Sequence, residues 1–134
     1  MAKCSCAGGV KVVLPCSGSA NVGQIANEAA KRLDIEGTAK FFCTAGLGGH
    51  VSGMVASVKG ADKVLVLDGC PVGCARKCAE EAGISGFERV VVSELGIEKK
   101  HEFNIAEADI QKVVAQCRAT LSASGAKKGA GCCG

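Results

Sequence analysis

Tryptophan and tyrosine are missing from this 134-residue chain, and phenylalanine occurs only four times. A core without large rings has to be built from Val, Ile, Leu and Ala, which favours closely packed α/β layers. The same shortage leaves nothing to interleave with basic residues as a stacking platform for nucleic acid. The net charge of +3 comes from Lys scattered along the chain, with a small excess in "AKK" at 126–128, so no nucleic-acid partner is expected. Long apolar runs are also absent. "MAKCSCAGGV" holds no stretch suited to a signal, and no window approaches a membrane span, so a cytoplasmic protein without a membrane partner is expected.

Cysteine is abundant, at ten residues. Disulfide-rich secreted scaffolds are usually shorter and follow a signal peptide, so these thiols read as reduced. In a reducing compartment, grouped cysteines point to metal binding or thiol chemistry.

The ends of the chain, 1–9 "MAKCSCAGG" and 122–134 "SASGAKKGAGCCG", are small, Gly-rich and aperiodic, and read as tails flanking one domain over 10–121. Between them strands and helices alternate. "VKVVLP" (10–15) is a continuous aliphatic run ending in a turn, the mark of a buried strand. Asn21, with Gln24 three residues on, predicts a capped helix whose apolar stripe is Val22, Ile25, Ala26, Ala29 and Leu33. "TAKFFCT" (38–44) predicts a second strand, followed by the Gly-rich "AGLGGHVSG" and a weakly helical "MVASVKGA". "KVLVLDG" (63–69) is the clearest strand. Pro71 suits the first position of the helix after it, and Gly83 suits its stop. "ERVVVSE" (88–94) is the fourth strand. Asn104 and Glu107 have capping spacing for a last helix with Ile110, Val113, Val114, Cys117 and Leu121 on one face. Unbroken aliphatic strands alternating with helices predict a single-domain, open parallel sheet of about four strands with helices on both faces, Rossmann-like or flavodoxin-like.

In such a sheet every strand points the same way, and ligands bind at the carboxyl edge where strand order reverses. Cys16, Cys43 and Cys70 each follow a predicted strand, and Cys74 follows in the next helix. Topology alone therefore brings four thiols to one edge. Four thiols are a ligand set for tetrahedral Zn²⁺, and helix N-termini help to hold the excess negative charge. An iron–sulfur cluster uses the same ligands.

"LPCSGSANVGQIANEAAKRL", "FFCTAGLGG" and "DKVLVLDGCPVGCARKCAEEAG" resemble, in order and spacing, the small bacterial and archaeal DGC domain family, named for an Asp-Gly-Cys motif that is here Asp68-Gly69-Cys70. The resemblance spans residues from about 11 to 120 and implies a zinc-binding domain whose four cysteines match Cys16, Cys43, Cys70 and Cys74. Cys78 and the cysteines at both ends are extras to that pattern.

Other residues carry two readings. Cys78, one turn below Cys74, is a spare ligand or a packing residue, and packing is preferred. Cys117 falls on an apolar stripe and is expected in the core. Asp68 orients a backbone amide or supports a ligand, or is simply a turn former. His50 is a loop residue beside the same edge, and His101 is expected in solvent. Cys4, Cys6, Cys132 and Cys133 recruit metal or share no task. A phosphatase loop after the first strand is a poor reading, because the Arg needed six residues after Cys16 is Val22. There Asn21 is a cap or an anion contact.

Metal handling or sensing through Cys16, Cys43, Cys70 and Cys74 is therefore the leading expectation. Its rival is a thiol enzyme for redox or persulfide transfer, with Cys70 as nucleophile and Cys74 or Cys16 as its resolving partner. The absence of a Cys-x-x-Cys pair counts against that rival.

Overall fold

A computed structural model describes residues 9–123. Four parallel strands form one sheet: β1 (Lys11–Pro15), β2 (Lys40–Phe41), β3 (Lys63–Asp68) and β4 (Glu88–Val91), in the order β2-β1-β3-β4. Val13 pairs with Phe41 on one side and with Leu65 on the other, and Leu67 pairs with Val90. The helices are α1 (Asn21–Ile35), α2 (Thr44–Gly48), α3 (Ser52–Lys59), α4 (Cys74–Glu81) and α5 (Glu107–Ala123), with a 3₁₀ turn at Val92–Leu95.

Side chains alternate across a strand, so each aliphatic run feeds two cores. Val13, Leu65 and Leu67 face α1 and α5, where they meet Val22, Ile25, Leu33, Ile110, Val113 and Leu121. Val12, Leu14, Val64 and Val66 face the opposite layer of α2, α3 and α4, meeting Leu47, Val58, Ala75 and Ala79. Each fully buried aliphatic side chain contributes roughly 1.5–3 kcal/mol. The expected three-layer α/β architecture is what forms, and the expected stripes of α1 and α5 are buried throughout. Cys117 is fully buried among them.

Three local expectations are corrected. Asn21 does not cap α1. Ala20 holds that position without a side-chain bond, and Asn21 is itself buried and bonded to a distant loop. Pro71 does not open α4. It sits in the turn closed by the Gly73 N–H to Cys70 carbonyl bond (3.2 Å), where its fixed φ suits the second turn position, and the helix begins at Cys74. Asn104 does not cap α5, which starts at Glu107. Gly83 does end α4. Its φ of +80° and the Ile84 N–H to Ala79 carbonyl bond make the left-handed stop that favours glycine.

The second and fourth strands are shorter than expected. The Gly-rich segment after β2 folds into α2, and the end of the fourth aliphatic run turns into the 3₁₀ segment. Of the expected tails, Ser122 and Ala123 belong to α5. Residues 1–8 and 124–134, with Cys4, Cys6, Cys132 and Cys133, lie outside the described residues. Among the described residues, no helix is long and apolar enough to cross a membrane.

Candidate functional site

In the order β2-β1-β3-β4 the chain turns one way from β1 to reach β2 and the other way to reach β3 and β4. The strand order therefore reverses between β1 and β3, the place where open α/β sheets bind ligands. Cys16 leaves β1 at that point and Cys70 leaves β3 beside it. The Cys16 N–H donates to the Leu67 carbonyl at 2.8 Å, which fixes the two strand ends side by side. The β2 exit joins them from the other flank, where the Thr44 hydroxyl donates to the Pro15 carbonyl at 2.8 Å and so secures the turn that carries Cys43.

Backbone packs directly on backbone here. A Cβ on Gly69 would stand 2.8 Å from the Gly23 nitrogen, and a Cβ on Gly23 would stand 2.8 Å from the nitrogen and the carbonyl oxygen of Gly18. The loop after β1, the first turn of α1 and the end of β3 thus interlock only because Gly23 and Gly69 lack side chains.

Asp68, the last residue of β3, is 1% exposed. One of its oxygens accepts the Ala75 N–H at 2.9 Å and the Arg76 N–H at 3.4 Å, and the other accepts the Arg89 Nε–H at 2.8 Å. A buried carboxylate thereby satisfies orphan donors at the start of α4 and pairs with a guanidinium on β4. Of the roles expected for Asp68, orienting backbone amides is seen directly. Its Arg89 partner had no signal in the sequence.

Cys16, Cys43, Cys70, Cys74 and Cys78 are all free thiols. Cys43 and Cys74 are exposed, while Cys16, Cys70 and Cys78 are partly buried. Cys16 packs against both cores and Cys70 against the α1/α5 core. Cys78 packs into the α4 layer as expected, and its sulfur lies 3.2 Å from where a Cβ on Gly48 would stand. Its thiol is pushed up by burial, and further by the nearby Cys74, Asp68 and Cys16. Burial alone pushes Cys117 up to about 12. Among the described cysteines, native-state alkylation with iodoacetamide is therefore expected to label Cys43 and Cys74 first and Cys117 only after unfolding. Peptide mapping of labelled protein checks this, and early labelling of Cys117 would contradict the packing.

A further interaction at this edge comes from far along the chain. Lys99 brings its Nζ to 3.5 Å from the Cys70 sulfur. Asn21 holds the backbone on both sides of Lys99. Its side-chain amide donates to the Glu98 carbonyl at 2.8 Å, and its carbonyl oxygen accepts the Lys100 N–H at 2.6 Å. The Asn21 N–H completes the anchor by donating to the Lys100 carbonyl at 2.9 Å. His101 is exposed, with Nδ1 2.9 Å from the Ser19 carbonyl oxygen. His50 is also exposed, at a left-handed φ of 55° in the corner between α2 and α3.

As a donor set, four thiols at one edge suit zinc. Among the described residues, however, no three His, Cys, Asp or Glu side chains are gathered into a group that could hold an ion as they stand. A metal would have to draw the thiols together.

Residues 12–117 match the DGC domain family. The chain belongs to that family. This DGC protein is also 31% identical over 117 residues to the anaerobic and virulence modulator AnvM of Pseudomonas aeruginosa strain PAO1, a match covering 87% of this chain and 89% of AnvM. No solved structure matches the DGC chain. The motif that names the family, Asp68-Gly69-Cys70, contributes three separate parts: the carboxylate that anchors α4, the glycine that admits α1, and the thiol at the switch point.

Proposed function

We propose that this protein binds Zn²⁺ reversibly through Cys16, Cys43, Cys70 and Cys74 and serves in metal handling or sensing. The observation that supports the reading is the meeting of three strand exits and the start of α4 at one edge, each carrying a free thiol. Four thiolates from these positions would supply a complete tetrahedral shell, and the metal would deprotonate them on binding. Both hydrophobic cores are complete without an ion, so a stapling role is not needed. Thiols that must be drawn together by their ion suit acquisition and release better than permanent retention. The relative's name, anaerobic and virulence modulator, agrees with a sensing role.

Elemental analysis of anaerobically purified protein tests this. About one zinc per chain is expected in the parent, with most of it lost in Cys70→Ser. A parent without metal would reject the reading.

A second reading is favoured by one contact, the Lys99 ammonium beside the Cys70 sulfur. A cation there suits a thiolate nucleophile for redox or persulfide chemistry, with Cys74 or Cys16 as its partner. Metal-free parent protein whose Cys70 alkylates far faster than its other thiols would put this reading first.

A further inference from the structure

We propose that Arg76 and Arg89 together form a binding site for a phosphoryl group at the Gly73 turn. The site uses none of the four candidate zinc ligands and does not rest on the zinc reading.

Two guanidinium nitrogens carry the inference. Arg76 Nε and Arg89 Nη2 are both buried, and neither has a hydrogen-bond partner. A buried charged donor without an acceptor is costly, so two of them in one place mark a position for an acceptor. They share such a position. A Cβ on Gly73 would stand 3.0 Å from Arg76 Nε, 3.0 Å from Arg89 Nη2 and 3.3 Å from Arg76 Nη2. The φ of +70° at Gly73 calls for glycine in any case, and the missing side chain leaves all three nitrogens facing a common notch.

Charge decides what the notch should hold. The two unpartnered nitrogens are at most about 6 Å apart, close enough for their positive charges to repel. Asp68 offsets one of them, but its 2.8 Å bond goes to Arg89 Nε and leaves Nη2 unused. Arg76 has Glu80 near it, 3.8 Å from Nε and 55% exposed, too far for a hydrogen bond. One guanidinium is therefore without a bonded anion. A water in the notch would satisfy donors and leave the charge. An anion with several oxygens does both. The two side chains come from different elements, α4 and β4, so a tetrahedral group with oxygens in several directions suits them better than a planar carboxylate. The side chains of Arg76 and Arg89 are 35% and 27% exposed, which places the pair at the surface, and the long Glu80 contact is easily exchanged for a bound ion.

Calorimetric titration of chelator-treated protein with inorganic phosphate, in sodium chloride of matched ionic strength, tests the site. Arg76→Gln is expected to weaken phosphate binding by about 10–100-fold, the worth of one or two charge-assisted hydrogen bonds. Lys77→Gln removes an exposed positive charge beside it and should change affinity less than about twofold, because it tests screened attraction alone. Arg76→Lys should fall between, since a point charge cannot form the fork. Glu80→Gln removes the competing carboxylate and should tighten binding by up to about fivefold, which a purely structural role for Arg76 would not produce. Arg89 is kept, because it also holds Asp68. Phenyl phosphate, titrated in parallel, identifies the source. Binding as tight as that of inorganic phosphate supports a phosphoryl group carried on a larger molecule, and binding of inorganic phosphate alone supports the free ion. Cys70→Ser should keep full phosphate affinity, so this site and the zinc reading stand or fall separately. No binding of either probe, or parent affinity in Arg76→Gln, would overturn the site and leave the two nitrogens to water.

Discussion

Asp68→Ala is expected to cost about 3 kcal/mol of folding stability, seen as a lower urea midpoint at unchanged slope. The carboxylate is buried, accepts from two amides of α4 and holds Arg89. Removing it leaves orphan N–H groups at a helix start and an unpaired guanidinium. Loss of one partner from a buried pair costs roughly 3–5 kcal/mol, and the lower end applies because the Arg89 side chain is 27% exposed and keeps some solvation. Asp68→Asn should be milder. It keeps an acceptor for the Ala75 and Arg76 amides and loses only the charge opposite Arg89. Measuring both in chelator separates this effect from metal binding. An alanine variant as stable as the parent would mean that α4 is held by its Ala75 and Ala79 packing alone.

Gly69→Ala should be comparably damaging, by about 3 kcal/mol, and for a steric reason. The new methyl would lie 2.8 Å from the Gly23 nitrogen and 2.9 Å from the Val22 carbonyl carbon, closer than real Cβ atoms come. Backbone cannot rotate aside as a side chain can, so α1 or the end of β3 has to shift, at the upper end of the usual overpacking range. That shift would also part the exits carrying Cys16 and Cys70, so on the proposed zinc reading any metal content should fall with stability. Gly37→Ala is the control. It too is a single added methyl on a glycine, but nothing lies within 4 Å of its Cβ, and its φ of +82° confines the cost to local strain of roughly 1–2 kcal/mol. If Gly69→Ala melts no lower than this control, the close approach is not what limits the fold.

The frame of this protein was legible because its strongest signals are periodic. β1 and β3 are unbroken aliphatic runs, and α1 and α5 show clean apolar stripes, so parallel topology and the edge carrying the thiols followed from the sequence. What escaped prediction depends on long-range partners. Asn21 and Gln24 satisfy a local capping rule, but Asn21 is bonded to residues nearly eighty positions away. A signal was available: Asn21 lies on the same helical face as Ile25 and Ala29, and a polar residue within an apolar stripe needs a buried partner. Asp68 gave a similar hint at the end of an apolar strand, whereas nothing marked Arg89 as the residue that would meet it. The start of α4 was placed too early because Pro71 suits a turn as well as a first helical position. β2 was drawn too long because its composition is strand-like even where the chain has already turned into α2. That Cys16, Cys43 and Cys70 follow strands and Cys74 stands at the start of a helix was legible from topology, but the spacing of their sulfurs depends on side-chain placement that no sequence pattern encodes.

The short edge strand sets a hierarchy in time among these thiols. β2 is joined to the sheet over two residues only, while β1 and β3 pair over five. Segments with so few ladder bonds open at the low end of a protein's free-energy scale, well before its centre. The strand exit bearing Cys43 is held by this short ladder and by the Thr44 bond to Pro15, whereas Cys16 and Cys70 leave the two strands that pair over five residues. On the proposed zinc reading, an incoming ion would meet Cys16 and Cys70 at the sheet's most extensively paired strands and Cys43 beside its shortest, which would make Cys43 the step at which capture is completed and release begins.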